Sequence, residues 1–142
     1  MTTRQQYCTF YLGEHCFGLD VLRVQEIVRS QTVTRVPLAP DVVHGLMNLR
    51  GQIVTAIDLR RRLGLPDRDA NVEPVNVVVQ TDEGAIALLV DEIDDVLEVG
   101  REQFERPPQT LQGAARDLIQ GVYKLPERLL VVLDLDRILL IP

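Results

Sequence analysis

Residues 45–59 read GLMNLRGQIVTAIDL and residues 121–135 read GVYKLPERLLVVLDL, so one stretch of this chain is written twice. Gly45 meets Gly121, Leu49 meets Leu125, Ile53 meets Leu129, Ile57 meets Leu133 and Asp58-Leu59 meets Asp134-Leu135, all at an offset of 76. An earlier pair of segments matches at an offset of 69: Gly18 with Ala87, Leu19 with Leu88, Val21 with Val90, Val24 with Ile93 and Ile27 with Val96. The seven-residue difference fits an insertion in the second copy, where Pro107-Pro108 and Gly113 lie. Aliphatic residues alone could match by accident of strand composition. The glycines and the Asp-Leu pairs carry turn and cap chemistry instead. A repeat of this length is the mark of a duplicated unit.

Each copy reads as hairpin, strand, crossover, hairpin and terminal helical turn. Tyr7 to Leu12 and Cys16 to Asp20 form the first hairpin, turning at Gly13-Glu14. Val24 to Arg29 and Thr32 to Val36 follow as extended pieces, then Pro37-Leu38-Ala39-Pro40 as a rigid loop. Asp41 is placed to cap one helical turn over Val42 to His44. Gly45 to Leu49 and Gln52 to Ile57 form the next hairpin, with Arg50-Gly51 at its bend. Asp58 then caps a short helix, Leu59 to Leu63, which Gly64 and Pro66 stop. The pattern restarts after a polar connector, Pro66 to Glu73. Val75 to Thr81, Ala85 to Val90 and Ile93 to Val99 are strands, Arg101 to Asp117 is irregular, and Leu118 to Leu125 and Leu129 to Leu133 form the last hairpin. Asp134 precedes a helical turn from Leu135 to Leu140.

These elements predict an all-β fold with short helices in one domain, 1–142. Its first barrel covers 7–66 and its second 75–140, with room for segments to exchange between them. About five short strands per copy favour closure into a small barrel, which removes exposed edges. Pieces this small are marginal alone and should share apolar surface, leaving a hydrophobic groove suited to a partner's helix.

Aromatic residues are 4% of the chain and aliphatic side chains must build the core. The net charge of −6 opposes binding to nucleic acid or to anionic lipid, both of which require concentrated positive charge. Arg60-Arg61-Arg62 is the one basic cluster and reads as a solvated helix face. No stretch approaches the ~20 apolar residues of a membrane span. Residues 1–6 show no apolar signal core, so the expected compartment is the cytoplasm. With a turn at Gly13-Glu14, Cys8 falls opposite Leu19 and Cys16 opposite Tyr11. The thiols then point to opposite faces, and a disulfide is not expected.

Residues that could carry chemistry are scattered. His15 sits at a hairpin tip and His44 in the turn after Asp41, without the spacing of a zinc site. Ser30 lacks a nucleophile-elbow setting. Asp91-Glu92 with Asp94-Asp95 reads as a solvated turn and strand face. No metal, cofactor or catalytic group is therefore expected. Glu26 and Arg50 stand out because each interrupts an apolar stretch without belonging to a charge run. Either is an ordinary exposed residue or a polar anchor beside an apolar groove.

Several segments resemble the CheW family of bacterial chemotaxis. They are Phe10-Tyr11-Leu12-Gly13-Glu14, Phe17-Gly18-Leu19-Asp20, Val24-Gln25-Glu26-Ile27, Thr34-Arg35-Val36-Pro37, Gly45-Leu46-Met47-Asn48-Leu49-Arg50-Gly51 and Ile57-Asp58-Leu59-Arg60. Leu89-Val90-Asp91 and Val96-Leu97 continue the match, which spans roughly residues 7 to 140 in order. Thr55-Ala56 and Ala87 depart from it, where the family often has Pro and Gly. The resemblance implies two tandem five-stranded SH3-like barrels around a groove. It implies a non-enzymatic cytoplasmic adaptor, recruited to membrane-associated arrays, that links the hairpin tips of methyl-accepting chemoreceptors to the regulatory domain of the histidine kinase CheA. Val24, Glu26, Arg50 and Val96 would contact receptor. Gly45 and Gly51 would allow turns and Asp58 would cap a helix. An adaptor of a related pathway such as twitching motility, a module that only inhibits a kinase, and a small-molecule-binding double barrel are the rival readings.

Overall fold

The computed structural model describes residues 4–29, 31–107 and 114–141. Ser30, Pro108 and Gly113 lie outside them. Among the described residues twelve strands appear in chain order: β1 (Arg4–Leu12), β2 (His15–Asp20), β3 (Val24–Arg29), β4 (Val33–Thr34), β5 (Val43–Leu49), β6 (Gln52–Asp58), β7 (Val75–Thr81), β8 (Gly84–Val90), β9 (Glu92–Gly100), β10 (Phe104–Glu105), β11 (Ile119–Lys124) and β12 (Leu129–Leu133). Three single-turn helices accompany them, α1 (Leu59–Arg62), α2 (Ala114–Asp117) and α3 (Leu135–Ile138). The all-β expectation holds, and every predicted hairpin forms.

Hydrogen bonding collects the strands into two sheets of six, in the orders β10-β11-β12-β2-β1-β9 and β4-β5-β6-β8-β7-β3. Each has five longer strands and one of only two residues, β10 or β4. The outer strands of a sheet are not hydrogen-bonded to each other among the described residues. The two orders are the same list once each strand is replaced by its repeat equivalent. Even the registers agree. In one sheet Phe17 pairs with Val131 and Gly18 with Val132; in the other Ile86 pairs with Thr55 and Ala87 with Ala56. Offsets of 69 and 76 convert the first set into the second.

The pairing also shows how the copies are shared. The first hairpin, β1-β2, joins β9 to β12, while the later hairpin, β7-β8, joins β3 to β6. The compact units are accordingly Met1–Val21 with Ile93–Pro142, and Leu22–Glu92. The seam in each sheet is a parallel pair, β2 with β12 and β6 with β8. Parallel neighbours need a long connection, and here that connection is the rest of a repeat.

Alternation decides what each strand buries. In the unit containing both chain ends, Tyr7, Cys16, Val99, Tyr123, Leu130 and Val132 pack together, with Tyr11, Leu97 and Leu125 against them. The Tyr7 and Tyr123 hydroxyls lie 3.4 Å apart inside this core. In the other unit Met47, Val54, Ala56, Val78, Ala87 and Leu89 form the cluster, covered by Val28, Val33, Leu49 and Ala85. Cys8 and Cys16 are free thiols, standing opposite Leu19 and Tyr11 as the hairpin register required.

Gly45 and Gly121 do the same work in the two copies. The β5–β6 ladder shifts register between Val43 and Gly45, and the β11–β12 ladder shifts between Ile119 and Gly121. Each bulge lets a two-residue strand lie directly over the glycine. A Cβ on Gly45 would sit 2.6 Å from the Thr34 carbonyl oxygen, and one on Gly121 the same 2.6 Å from that of Glu105. Gly45 is therefore structural through close approach of β4 rather than through a tight turn.

Two expectations fail here. Val42 to His44 is not helical: after a turn closed by Val43 N–H donating to the Pro40 carbonyl (2.9 Å), the chain enters β5 and Val43 pairs with Ile57. Strand pairing outweighs the local cap signal of Asp41. The arginine run is not a uniformly solvated face either. Arg60 makes a two-pronged ion pair with Asp91, Nε to Oδ1 at 3.0 Å and Nη2 to Oδ2, and both side chains are largely buried. Asp58 does cap α1, its Oδ1 accepting from Arg61 N–H at 3.3 Å, and Asp134 caps α3 in the same way at 3.2 Å.

Two stability predictions follow from this packing. Gly45→Ala and Gly121→Ala should each lower the unfolding free energy by about 1–3 kcal/mol through overpacking, read from denaturant melts; losses under about 0.5 kcal/mol would contradict the close approach. Arg60→Ala leaves Asp91 buried without its cation and should cost about 3–5 kcal/mol, a loss that Arg60→Met paired with Asp91→Leu should largely recover.

Candidate functional site

The β5–β6 hairpin ends in a two-residue turn. Leu49 pairs with Gln52, leaving Arg50 and Gly51 at the tip with φ of 52° and 87°. Positive φ at both positions matches the twist of a two-residue hairpin, which favours Asn-Gly over an arginine. Gly51 meets nothing that a Cβ would touch, so its role is conformational alone. The Asn48 side-chain oxygen accepts from Gly51 N–H at 2.9 Å and steadies the bend. Arg50 thus holds a left-handed conformation that costs an L-residue about 1–2 kcal/mol. Only a handful of non-glycine residues accept this in a fold, and they cluster at functional positions.

The Arg50 side chain reaches Glu26, its Nη2 donating to Oε2 across 24 residues of sequence. Glu26 lies in β3, where the ladder with β7 shifts register between Val24 and Glu26. A bulge redirects side chains. In β3 the half-buried positions are Val24, Glu26 and Val28, while Gln25, Ile27 and Arg29 face solvent. The result inverts hydrophobic order: the carboxylate turns inward and the aliphatic Ile27, 45% exposed, turns out. The Glu26 side chain keeps 25% exposure and that of Arg50 70%, so the pair is a surface ion pair. Pairs of this kind contribute only about 0–1 kcal/mol. Its effect is orientation, holding the Arg50 guanidinium against Glu26 of β3.

Val24, Glu26 and Arg50 belong to the same unit, and the structure brings the last two into direct contact. Val96 lies in β9 of the other unit, 53% exposed. The residue that sequence reasoning passed over is Ile27. Its signal was in the repeat alignment, where it stands opposite Val96. Both copies present an aliphatic side chain outward at that position, and Ile53 and Leu129 do so at another matched pair.

The acidic stretch after β8 is also more engaged than a solvated face. Asp91 holds Arg60, and Asp94 Oδ2 accepts from Arg128 Nη1 at 2.7 Å. Arg128 also donates to the Tyr11 hydroxyl, and its guanidinium stands 5.9 Å over the Tyr11 ring. These acceptors push the Arg128 pKa above its ordinary value. Beside Arg128 lies a shallow cavity of about 260 Å³, lined in part by His15, Cys16 and Glu127. Burial pushes the Cys16 thiol pKa up. His15 packs its ring 6.3 Å from that of Phe17. Among the described residues no three His, Cys, Asp or Glu side chains converge on a point that could hold a metal ion.

Residues 6–140 match the model of the CheW-like domain. The chain is 34% identical over 139 residues to the chemotaxis protein CheW of Treponema pallidum, covering 94% of this chain and 81% of that one. It is 33% identical over 138 residues to the chemotaxis protein CheW of Klebsiella aerogenes, covering 97% and 83%. Its fold is similar to the crystal structure of the scaffolding protein TtCheW from Thermoanaerobacter tengcongensis, with a TM-score of 0.87 at 25% identity over 98% of this chain and 94% of that one. The chain belongs to the CheW-like family, and its role is that of a chemotaxis adaptor.

His44 supplies a pH prediction. Burial in β5 comes first, and the positive charges of Arg68, Arg35 and Arg61 add to it, pushing the pKa down against the pull of Asp58. A histidine whose folded pKa lies below its unfolded value of about 6.5 binds fewer protons when folded. Its stabilising contribution is complete above pH 6.5 and is lost as pH falls through the folded pKa. Between pH 7 and pH 5 the wild-type protein should therefore lose more stability than His44→Gln, measured as the difference between their denaturant midpoints. Parallel curves would contradict this.

Proposed function

We propose that this chain joins methyl-accepting chemoreceptors to the histidine kinase CheA by binding both and catalysing nothing. The receptor contacts are Val24, Glu26, Arg50 and Val96, taken up by its cytoplasmic hairpin tip. The kinase's regulatory domain takes a different part of the surface. Recruitment to membrane-associated receptor arrays follows from receptor binding and needs no membrane insertion. Among the described residues no helix is long and apolar enough to cross a membrane. A chain of net charge −6 has no electrostatic attraction for nucleic acid.

The observation that carries this reading is the tip of the β5–β6 hairpin. Arg50 accepts an unfavourable backbone conformation, projects a mostly exposed guanidinium, and is aimed by Glu26 beside the outward Ile27. Such an arrangement adds little to folding. It suits a polar anchor that fixes register while aliphatic burial supplies affinity, since arginine combines a planar donor fork with an apolar stem.

Arg50→Ala and Glu26→Lys should leave the melting temperature unchanged and weaken binding to a receptor hairpin fragment by about 1–3 kcal/mol, roughly 5- to 150-fold in Kd. Titration calorimetry measures the change directly. Wild-type affinity in both variants would remove these residues from the receptor contact.

A further inference from the structure

We infer that Arg128 is a positioning residue for β9, the strand that carries Val96, and that it governs partner binding without touching the partner. The inference rests on the proposed contact at Val96. β9 ends its sheet: among the described residues its one hydrogen-bonded neighbour is β1. A strand bonded on one side can move away from the sheet unless side chains tie it down. Two ties meet the segment just before Val96. The Thr9 hydroxyl, buried in β1, donates to the Asp95 backbone carbonyl. Arg128, at the turn entering β12, holds the Asp94 carboxylate at 2.7 Å.

Arg128 is itself fixed from three directions. It donates to the Tyr11 hydroxyl and stacks its guanidinium over the same ring. Its backbone carbonyl accepts from Leu125 N–H at 2.9 Å, closing the β11–β12 turn. Tyr11 packs on the buried cluster beneath, as does Leu97 from β9. The Arg128 and Asp94 side chains retain 31% and 29% exposure, so the pair is not part of the core that sets global stability. It connects β1, β9 and the β11–β12 turn at one point, two residues before an exposed valine. Both hydrogen bonds come from Nη1, and what lysine lacks is the planar guanidinium that stands over the Tyr11 ring.

The test combines affinity for a receptor hairpin fragment with amide hydrogen exchange on the full chain. Arg128→Gln and Asp94→Asn should speed exchange across residues 93–97 and leave the β5–β6 hairpin unchanged. Each should weaken fragment binding about tenfold, and Arg128→Lys should restore little of it. In a Val96→Ala background Arg128→Gln should change affinity less than about twofold, because the side chain it positions is gone. Equal losses in both backgrounds, or exchange that stays at the wild-type rate, would overturn the positioning role. If Val96→Ala weakens binding while Arg128→Gln and Asp94→Asn do not, the positioning role fails alone. If none of the three weakens it, the Val96 contact fails as well.

Discussion

The parallel pairing of β2 with β12 and of β6 with β8 is the constraint on which the rest of this structure depends. Each sheet is completed by a hairpin from the other repeat. Neither copy can satisfy its own backbone groups by folding on itself in this arrangement, because the first hairpin of each lies in the other's sheet. The identical registers at the two seams fix where everything else falls. They place the bulged glycines under the two-residue strands, the capping aspartates at the ends of β6 and at Asp134 after β12, and the aliphatic positions Ile27 and Val96 on the outside of equivalent strands. Pairings between residues more than a hundred positions apart also predict slow folding relative to a helical protein of this size, since loop closure precedes the contacts that reward it.

On this frame the ion pairs divide by burial. Arg60 with Asp91 is largely enclosed, and its value lies in what would happen if one partner were lost. Glu26 with Arg50 and Asp94 with Arg128 keep much more solvent, where Coulomb attraction is screened and weak. Both exposed pairs instead aim something. One fixes a guanidinium at a hairpin tip, and the other holds β9, whose one hydrogen-bonded neighbour among the described residues is β1. A scaffold that works through surfaces has reason to spend its charges on geometry, because association is favoured when side chains are already in their bound orientation.

Much of this was legible in the sequence. Gly13 and Gly51 marked hairpin bends, the register of the first hairpin followed from its turn at Gly13-Glu14, and Asp58 and Asp134 announced their helical turns through cap chemistry that acts within three residues. The family resemblance then attached roles to Val24, Glu26, Arg50 and Val96, which spacing alone left open. The signals that failed were non-local. Parallel seams leave no trace in either strand, since a strand reads the same whichever neighbour it takes. Arg60 looked solvated because its run is charged, while its partner is 31 residues away. Asp41 looked like a helix cap because caps are local, while the pairing of Val43 with Ile57 is not. Ile27 had only its place opposite Val96 in the repeat to mark it, and nothing local showed that β3 turns it outward.

The claim at the centre is that this protein bridges two partners. Sedimentation of purified CheA with receptor-containing membrane vesicles, with and without this chain, tests it most directly. The account predicts that kinase and this chain pellet together with receptor vesicles, and that the kinase stays largely in the supernatant when this chain is left out. Kinase that pellets equally in its absence, or a chain that stays in solution when both partners are present, would contradict it.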